Sequence, residues 1–275
     1  MLENDITFNR MVNGIEVYYE YHSHPHSKET FVLLHGFLSS TFSFRRLTPL
    51  LKQHYNVLSV DLPPFGRSGK SNKFRYSYEN LGKTVIQLLQ QLNMTNVFLA
   101  GHSMGGQVAL YMMKQQPELI EKGILLGSSG YLKRVNKPLV WLSYAPFFHL
   151  YVKLWLTRSG IRNNLENVVH DIQLIDDEMM YGYLKPFLDD EIFRALTRMI
   201  RDREGDLSEN ILRQIDTPCL LIWGDQDRVV PLNIGKRLNK DLPNANMIIL
   251  KETGHLLPEE KPDEVLQHIQ QFVVS

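Results

Sequence analysis

The sequence predicts an α/β fold: a mostly parallel central sheet with helices on both faces, carrying a helical insertion after the sixth strand. Three observations predict it. Short apolar runs bounded by polar residues and glycine alternate with segments of helical hydrophobic spacing over residues 1–129, the pattern of strands buried on both faces and linked by helices. The rhythm breaks between Gly130 and about Gly205, where the chain turns helical, aromatic and charged, and it resumes from Cys219 onward. The length of 275 residues fits one large domain carrying a substantial insertion. The expected division is a core of 1–129 and 206–275 with a helical cap of 130–205.

The chain opens with Ile6 to Val12 and Ile15 to Tyr21, alternating apolar and polar around Asn13-Gly14, a two-residue hairpin signal. His22-Ser-His-Pro-His26 follows. Its imidazoles raise the question of a metal, but proline and serine sit among them and no cysteine or carboxylate cluster accompanies them, so the segment reads as a solvated loop. Phe31 to Leu34 is a buried-type strand ending in His35-Gly36-Phe37, and helical spacing runs through Phe44, Leu47, Leu50 and Leu51. Tyr55 to Val60 is the next strand, leading into Asp61-Leu-Pro-Pro-Phe-Gly-Arg-Ser68, a shaped turn in which Asp61 is expected to accept from backbone amides. Leu81, Val85, Leu88, Leu89 and Leu92 mark an amphipathic helix before the strand at Val97 to Ala100. Ile124 to Leu126 makes the sixth strand.

Within the insertion, Pro138 to Leu156 is densely apolar and aromatic. A membrane span is the first alternative for such a run, but Pro146, His149 and Lys153 interrupt it and the same sheet resumes beyond it. The reading is a cap whose aromatics Trp141, Tyr144, Phe147, Phe148, Tyr151 and Trp155 are divided between the cap's own core and a substrate pocket, the first four being the candidate substrate contacts. The sheet then resumes with Cys219 to Trp223 and Met247 to Leu250, interleaved with helices around Ile234 to Leu238 and from Pro262 to Phe272.

Thirty Lys and Arg balance thirty Asp and Glu. A net charge of zero gives no reason to expect a nucleic acid or an anionic membrane surface as partner. Cys219 is the one cysteine, which excludes an intrachain disulfide, and its place in T-P-C-L-L-I-W predicts a buried inert thiol. The polar start Met1 to Arg10 has neither a basic lead nor an apolar stretch, so a signal peptide is not expected and a cytoplasmic location is.

The chemistry centres on Asn96 to Gly106, N-V-F-L-A-G-H-S-M-G-G. A strand ends at Gly101 and a helix begins almost at once, so Ser103 lies on a strand-to-helix corner. Gly101, Ser103 and Gly105 form G-x-S-x-G, with glycines where a Cβ would strike neighbouring backbone. The turn lifts the hydroxyl clear of the sheet and aims the first backbone N–H groups of the helix at any anion forming beside it. A serine hydroxyl needs a base to take its proton and a carboxylate to fix that base's tautomer. Two later strand ends supply them: Trp223-Gly-Asp-Gln-Asp-Arg-Val-Val-Pro231 carries Asp225 and Asp227, and Lys251-Glu-Thr-Gly-His255 carries His255.

With H-G-F at 35–37, D-L-P-P-F-G-R-S at 61–68, G-H-S-M-G at 101–105, W-G-D-Q-D-R-V-V-P at 223–231 and T-G-H at 253–255, the whole chain resembles a capped α/β-hydrolase. The resemblance implies that Ser103 is the nucleophile, His255 the general base and later acid, and Asp227, the second aspartate of W-G-x-x-D, the acid of the triad. It implies an oxyanion hole from the backbone N–H groups of Phe37 and Met104. A serine at the elbow excludes the subgroups resembling haloalkane dehalogenases and epoxide hydrolases, which need a carboxylate there. His35 and His102 are read as structural histidines.

The expected reaction is hydrolysis of carboxylic esters of small hydrophobic molecules through an acyl-enzyme, with Leu38 and the four cap aromatics as candidate substrate contacts and with neither metal nor organic cofactor. A carbon–carbon bond hydrolase of ring meta-cleavage products is the alternative. Its family usually shows a glycine-rich loop after H-G and a tryptophan after the histidine, where this chain has Phe37-Leu38-Ser39 and Leu256. An acyltransferase or perhydrolase is a third possibility. A small-molecule receptor retaining the triad is the alternative of another class.

Overall fold

The computed structural model describes residues 5–274, and the first four residues of the polar start discussed above lie outside them. Among the described residues eight strands form one sheet: β1 Asp5–Val12, β2 Ile15–His22, β3 Thr30–Leu34, β4 Asn56–Val60, β5 Val97–His102, β6 Ile120–Leu126, β7 Cys219–Gly224 and β8 Ala245–Leu250. Their spatial order is β1-β2-β4-β3-β5-β6-β7-β8. The opening hairpin pairs antiparallel, with Val12 opposite Ile15, and β2 lies antiparallel to β4. The remaining pairings are parallel.

The helices in chain order are α1 Thr48–Leu51, α2 Tyr78–Gln91, α3 Met104–Gln115, α4 Lys137–Leu142, α5 Phe148–Thr157, α6 Ile161–Val168, α7 Asp177–Leu184, α8 Asp190–Asp202, α9 Glu209–Leu212, α10 Leu232–Asp241, α11 Leu257–Glu260 and α12 Pro262–Val274. Side chains of one strand point alternately to opposite faces, so each central strand feeds two cores. Val32, Leu34, Leu58, Val60, Leu99, Leu125, Leu221 and Trp223 join α2, α3 and α10 in one apolar layer. Phe31, Leu33, Val57, Phe98, Ala100, Ile124, Leu126 and Ile222 join α1 and α12 in the other. Runs apolar at every position are what a sheet covered on both faces requires.

β4 starts one residue later than the apolar pattern suggests, because Asn56 serves the preceding loop. Its Oδ1 accepts from the His24 amide at 2.8 Å, and its Nδ2 donates to the carbonyls of Ser27 and Glu29. In the histidine-rich loop, His24 Nδ1 accepts from the amides of His26 and Ser27. This imidazole therefore closes a turn.

Between β6 and β7 the chain is built from α4 to α9 and short 3-10 turns. Side-chain caps start several of these helices: Asn136 accepts from the Leu139 amide, Asp176 from Met179 and Asp189 from Glu191. Parallel pairing aligns the carboxyl ends of β3, β5, β6 and β7, with Leu34 beside Gly101, His102 beside Leu126 and Leu126 beside Ile222. The helical segment leaves the sheet from this same edge, where open α/β sheets hold their ligands.

Candidate active site

Ser103 sits between β5 and α3 at φ 52°, ψ −117°, a conformation a residue with a side chain adopts only when its surroundings enforce it. Two backbone bonds do so. Ser103 N–H donates to the Leu126 carbonyl and the Ser103 carbonyl accepts from Ser129 N–H, each at 3.0 Å. The flanking glycines are required by contact: a Cβ on Gly101 would lie 2.4 Å from the Gly105 carbonyl oxygen, and one on Gly105 would lie 2.1 Å from the Leu34 oxygen. The loop after β3 closes on the same corner, since a Cβ on Gly36 would come 3.2 Å from that of Ser103. Gly36, Phe37 and Leu38 thus edge the cavity that contains Ser103. Met104, the first residue of α3, is buried next to Ser103 in the chain.

The two later strand ends meet at this corner. His255 Nδ1 lies 2.7 Å from Asp227 Oδ2, both side chains buried. The other carboxylate oxygen of Asp227 accepts from the amides of Val229 and Val230, each at 2.8 Å. The acid therefore cannot swing away from the imidazole without losing two bonds. Asp225 points elsewhere, 3.8 Å from the exposed Lys251 ammonium. Gly224 lets the loop carrying the histidine lie across β7, because a Cβ there would fall 2.2 Å from the Thr253 oxygen. At the end of β6, Gly127 (φ 50°) packs against the same pair: a Cβ would be 3.3 Å from both Asp227 Oδ2 and His255 Nδ1. Ring and serine hydroxyl belong to one cavity of about 410 Å³.

The other two histidines at this edge are held neutral. His35 accepts from Leu62 N–H through Nε2 at 2.9 Å, which leaves Nδ1 to donate to the Gly36 carbonyl at 2.7 Å. Burial lowers its pKa to about 4. His102 donates from Nε2 to the His255 carbonyl at 2.8 Å, and burial, followed by the neighbouring His255, lowers it to about 3. Both brace loops. Asp61 is buried in its turn, accepting from the amides of Thr41 at 2.6 Å and Arg67 at 2.8 Å. Burial nonetheless raises its carboxyl to about 6. A second cavity of about 380 Å³ reaches Asp61, with Glu20, Arg45, Arg67 and Lys185 among its lining residues, and contains neither Ser103 nor His255.

The structure brings Leu38 and Trp155 to the Ser103 cavity and leaves Trp141, Tyr144, Phe147 and Phe148 outside it. Trp141, Tyr144 and Phe147 are exposed on α4 and the turn beyond it, and Phe148 lines a neighbouring apolar cavity of about 320 Å³. The walls around Ser103 are instead Trp155, Leu156, Ile161, Leu165, Val168, Tyr183, Phe187 and Val229, with Asn164, Asn167 and Ser159 as polar members. The reason is the rotation of α5. Phe148, Val152 and Leu156, four residues apart, form its inward stripe. Phe37, Trp155 and Leu156 line both cavities and so separate them.

Cys219 is fully buried in β7, and burial pushes its thiol up to about 12, an inert state. Among the described residues no group of three or more His, Cys, Asp or Glu is placed to hold a metal, and no helix is long and apolar enough to cross a membrane.

Residues 31–268 match the profile of a family described as the alpha/beta hydrolase family. The uncharacterized hydrolase YugF of Bacillus subtilis is 52% identical over 262 residues, covering 95% of this chain and 96% of that protein. A 2-hydroxy-6-oxononadienedioate/2-hydroxy-6-oxononatrienedioate hydrolase of Cupriavidus pinatubonensis is 29% identical over 82% of this chain and 80% of its own. Among solved structures, a thermophilic esterase from Thermogutta terrifontis superposes with a TM-score of 0.79 at 18% identity, covering 98% of each chain.

Proposed function

Because the chain belongs to the alpha/beta hydrolase family, we propose that it is a serine hydrolase of carboxylic esters of small hydrophobic molecules, acting through an acyl-enzyme. The observation that carries this reading is His255 placed 2.7 Å from a twice-anchored Asp227 carboxylate and opening on the cavity of Ser103. With its Nδ1–H donated to Asp227, the imidazole presents Nε2 as a free base. Ser103 Oγ attacks the ester carbonyl as His255 Nε2 takes its proton. The carbonyl oxygen becomes an oxyanion held by the N–H groups of Phe37 and Met104, each contributing on the order of 3 kcal/mol. The imidazolium returns the proton to the departing alcohol. Water, deprotonated by the same imidazole, then attacks the acyl carbonyl, and as the bond to Ser103 Oγ breaks the imidazolium returns the proton to it, freeing the carboxylic acid and regenerating Ser103.

The cavity wall favours esters over the carbon–carbon reaction. The name of the Cupriavidus relative describes dicarboxylate substrates, and a buried carboxylate needs a cationic or multiply donating partner. Among the described residues that line the Ser103 cavity there is neither Arg nor Lys; apolar side chains dominate. The helical cap over the site thus presents a surface suited to a neutral, hydrophobic acyl or alcohol group.

The test is hydrolysis of p-nitrophenyl esters from acetate to long acyl chains by wild type and Ser103→Ala. Turnover that vanishes with Ser103 is the expected outcome, and the chain-length profile measures the cavity. If esters are inert while a vinylogous diketone is cleaved, the carbon–carbon reading replaces this one. A tight small-molecule complex with no turnover would point to a receptor.

A further inference from the structure

The outer face of the α4–α5 pair departs from what a surface helix shows. In α5, Phe148 and Val152 are buried inward, which normally leaves a polar stripe facing water. Here the outward positions are Leu150, Tyr151 and Leu154, the last 69% exposed. Trp141 on α4 is 77% exposed and Phe147, at the turn between the helices, 72%. Phe147 also holds a left-handed backbone, φ 61°, a conformation that favours glycine over an aromatic residue. Several large apolar side chains exposed along the one stretch from Trp141 to Trp155 mark a site of association.

Charge decides what associates. Residues 131–165 carry Lys133, Arg134, Lys137, Lys153, Arg158 and Arg162, and neither Asp nor Glu. Two of the six cations are paired, Lys153 with Asp190 and Arg162 with Glu166; Lys133 and Lys137 just before or within α4 and Arg158 at the end of α5 are exposed. In a twofold dimer the same patch meets itself, so these cations would face one another. An anionic lipid surface instead accepts both features. Leu and Phe enter the headgroup–acyl boundary, Trp and Tyr sit at headgroup level, and Lys and Arg meet the phosphates.

We propose that the α4–α5 face docks on an anionic bilayer, lying in the interface without crossing it. The chain's overall neutrality does not oppose this, because screening confines the attraction to the face presented. The patch is continuous with the cavities beneath it: Tyr151 and Trp155 are largely exposed, yet Tyr151 lines the apolar cavity and Trp155 lines that one and the Ser103 cavity. Docking therefore sets the bilayer against the wall of both chambers.

The test is co-sedimentation with vesicles of phosphatidylcholine alone and of phosphatidylcholine mixed with phosphatidylglycerol, alongside the tryptophan emission, in which the exposed Trp141 and Trp155 respond and the buried Trp223 does not. Wild type is expected to bind the mixed vesicles, with a blue shift, and to be released by salt. Phe147→Ser/Leu150→Ser/Leu154→Ser is expected to bind at least about tenfold more weakly. So is Lys133→Gln/Lys137→Gln/Arg158→Gln, which changes only exposed side chains and carries the test if the first variant unfolds. Absence of binding, or equal salt-insensitive binding to both vesicles, overturns the proposal. A wild-type dimer in sedimentation velocity that the Ser variant dissociates overturns it as well, assigning the face to a second copy. None of these readouts depends on turnover.

Discussion

Asp227→Asn isolates the role of the acid without changing its shape. Asp227 Oδ1 accepts from the amides of Val229 and Val230, and an asparagine keeps those bonds only by placing its carbonyl there. Its NH₂ then takes the position of Oδ2, 2.7 Å from His255 Nδ1. Two donors cannot share that contact, so the imidazole switches tautomer, Nδ1 accepting and Nε2 carrying the proton. A protonated Nε2 cannot take the Ser103 proton. The expected fall in kcat is about 10⁴-fold, or roughly 5 kcal/mol of barrier. KM should change little, because Asp227 lies behind the histidine and is absent from the cavity lining. Asp225→Asn removes an ion pair to a lysine side chain that is 84% exposed and should alter kcat by less than about twofold. Steady-state kinetics on a p-nitrophenyl ester, with far-ultraviolet circular dichroism to establish folding, reads both. Full loss in Asp225→Asn, or retention of activity within tenfold in Asp227→Asn, would refute the assignment.

Gly105→Ala places a methyl 2.1 Å from the Leu34 oxygen and 2.6 Å from that of His35, both backbone atoms that cannot rotate away. We expect a destabilisation of about 3 kcal/mol or more, read as a lowered Tm, with ester turnover lost; an unchanged Tm would show that the β3 loop yields. His102 gives a pH dependence. It is neutral in the fold down to about 3 but titrates near 6.5 when unfolded, so above pH 6.5 neither state binds a proton and below it only the unfolded chain does. Stability is therefore lost as pH falls from 6.5 toward 3, at about 1.4 kcal/mol per pH unit for this group. His102→Gln keeps a donor for the His255 carbonyl and does not titrate. Its stability deficit relative to wild type should shrink by about that slope between pH 6.5 and 5 in urea unfolding, and a constant deficit would count against a neutral buried imidazole.

What was legible in the sequence was what is decided locally or by parity. The elbow could be placed because a positive-φ serine between two backbone contacts demands glycine at two fixed offsets. The central sheet could be placed because a strand covered on both faces is apolar at every position. The choice between Asp225 and Asp227 was not local: it depends on the loop returning from β8, and chain order alone left both available until the family resemblance favoured the second. The pocket lining was hidden for another reason. α5 reads F-H-L-Y-V-K-L-W-L-T, apolar on nearly every side, so hydrophobic periodicity cannot say which stripe turns inward. The neutral total charge likewise concealed a basic stretch from 131 to 165, since a sum over the whole chain carries no position.

The site is enclosed by two walls of different character. His255 N–H donates to the Val168 carbonyl at 2.7 Å, at the end of α6. Glu260 ties the same place again, accepting from Gly254 N–H at 3.0 Å and from His170 N–H at 2.7 Å. Leu256 packs into a buried cluster with Leu165, Val169, Ile175, Met179 and Tyr183. Each of these contacts joins the loop that carries the histidine to the helical segment, so α6 cannot shift without carrying the imidazole with it. The opposite wall has no such tie at Trp155, which is largely exposed and lines both cavities. A shift of α5 that moves Trp155 can therefore reshape the pocket while preserving the 2.7 Å Asp227–His255 contact.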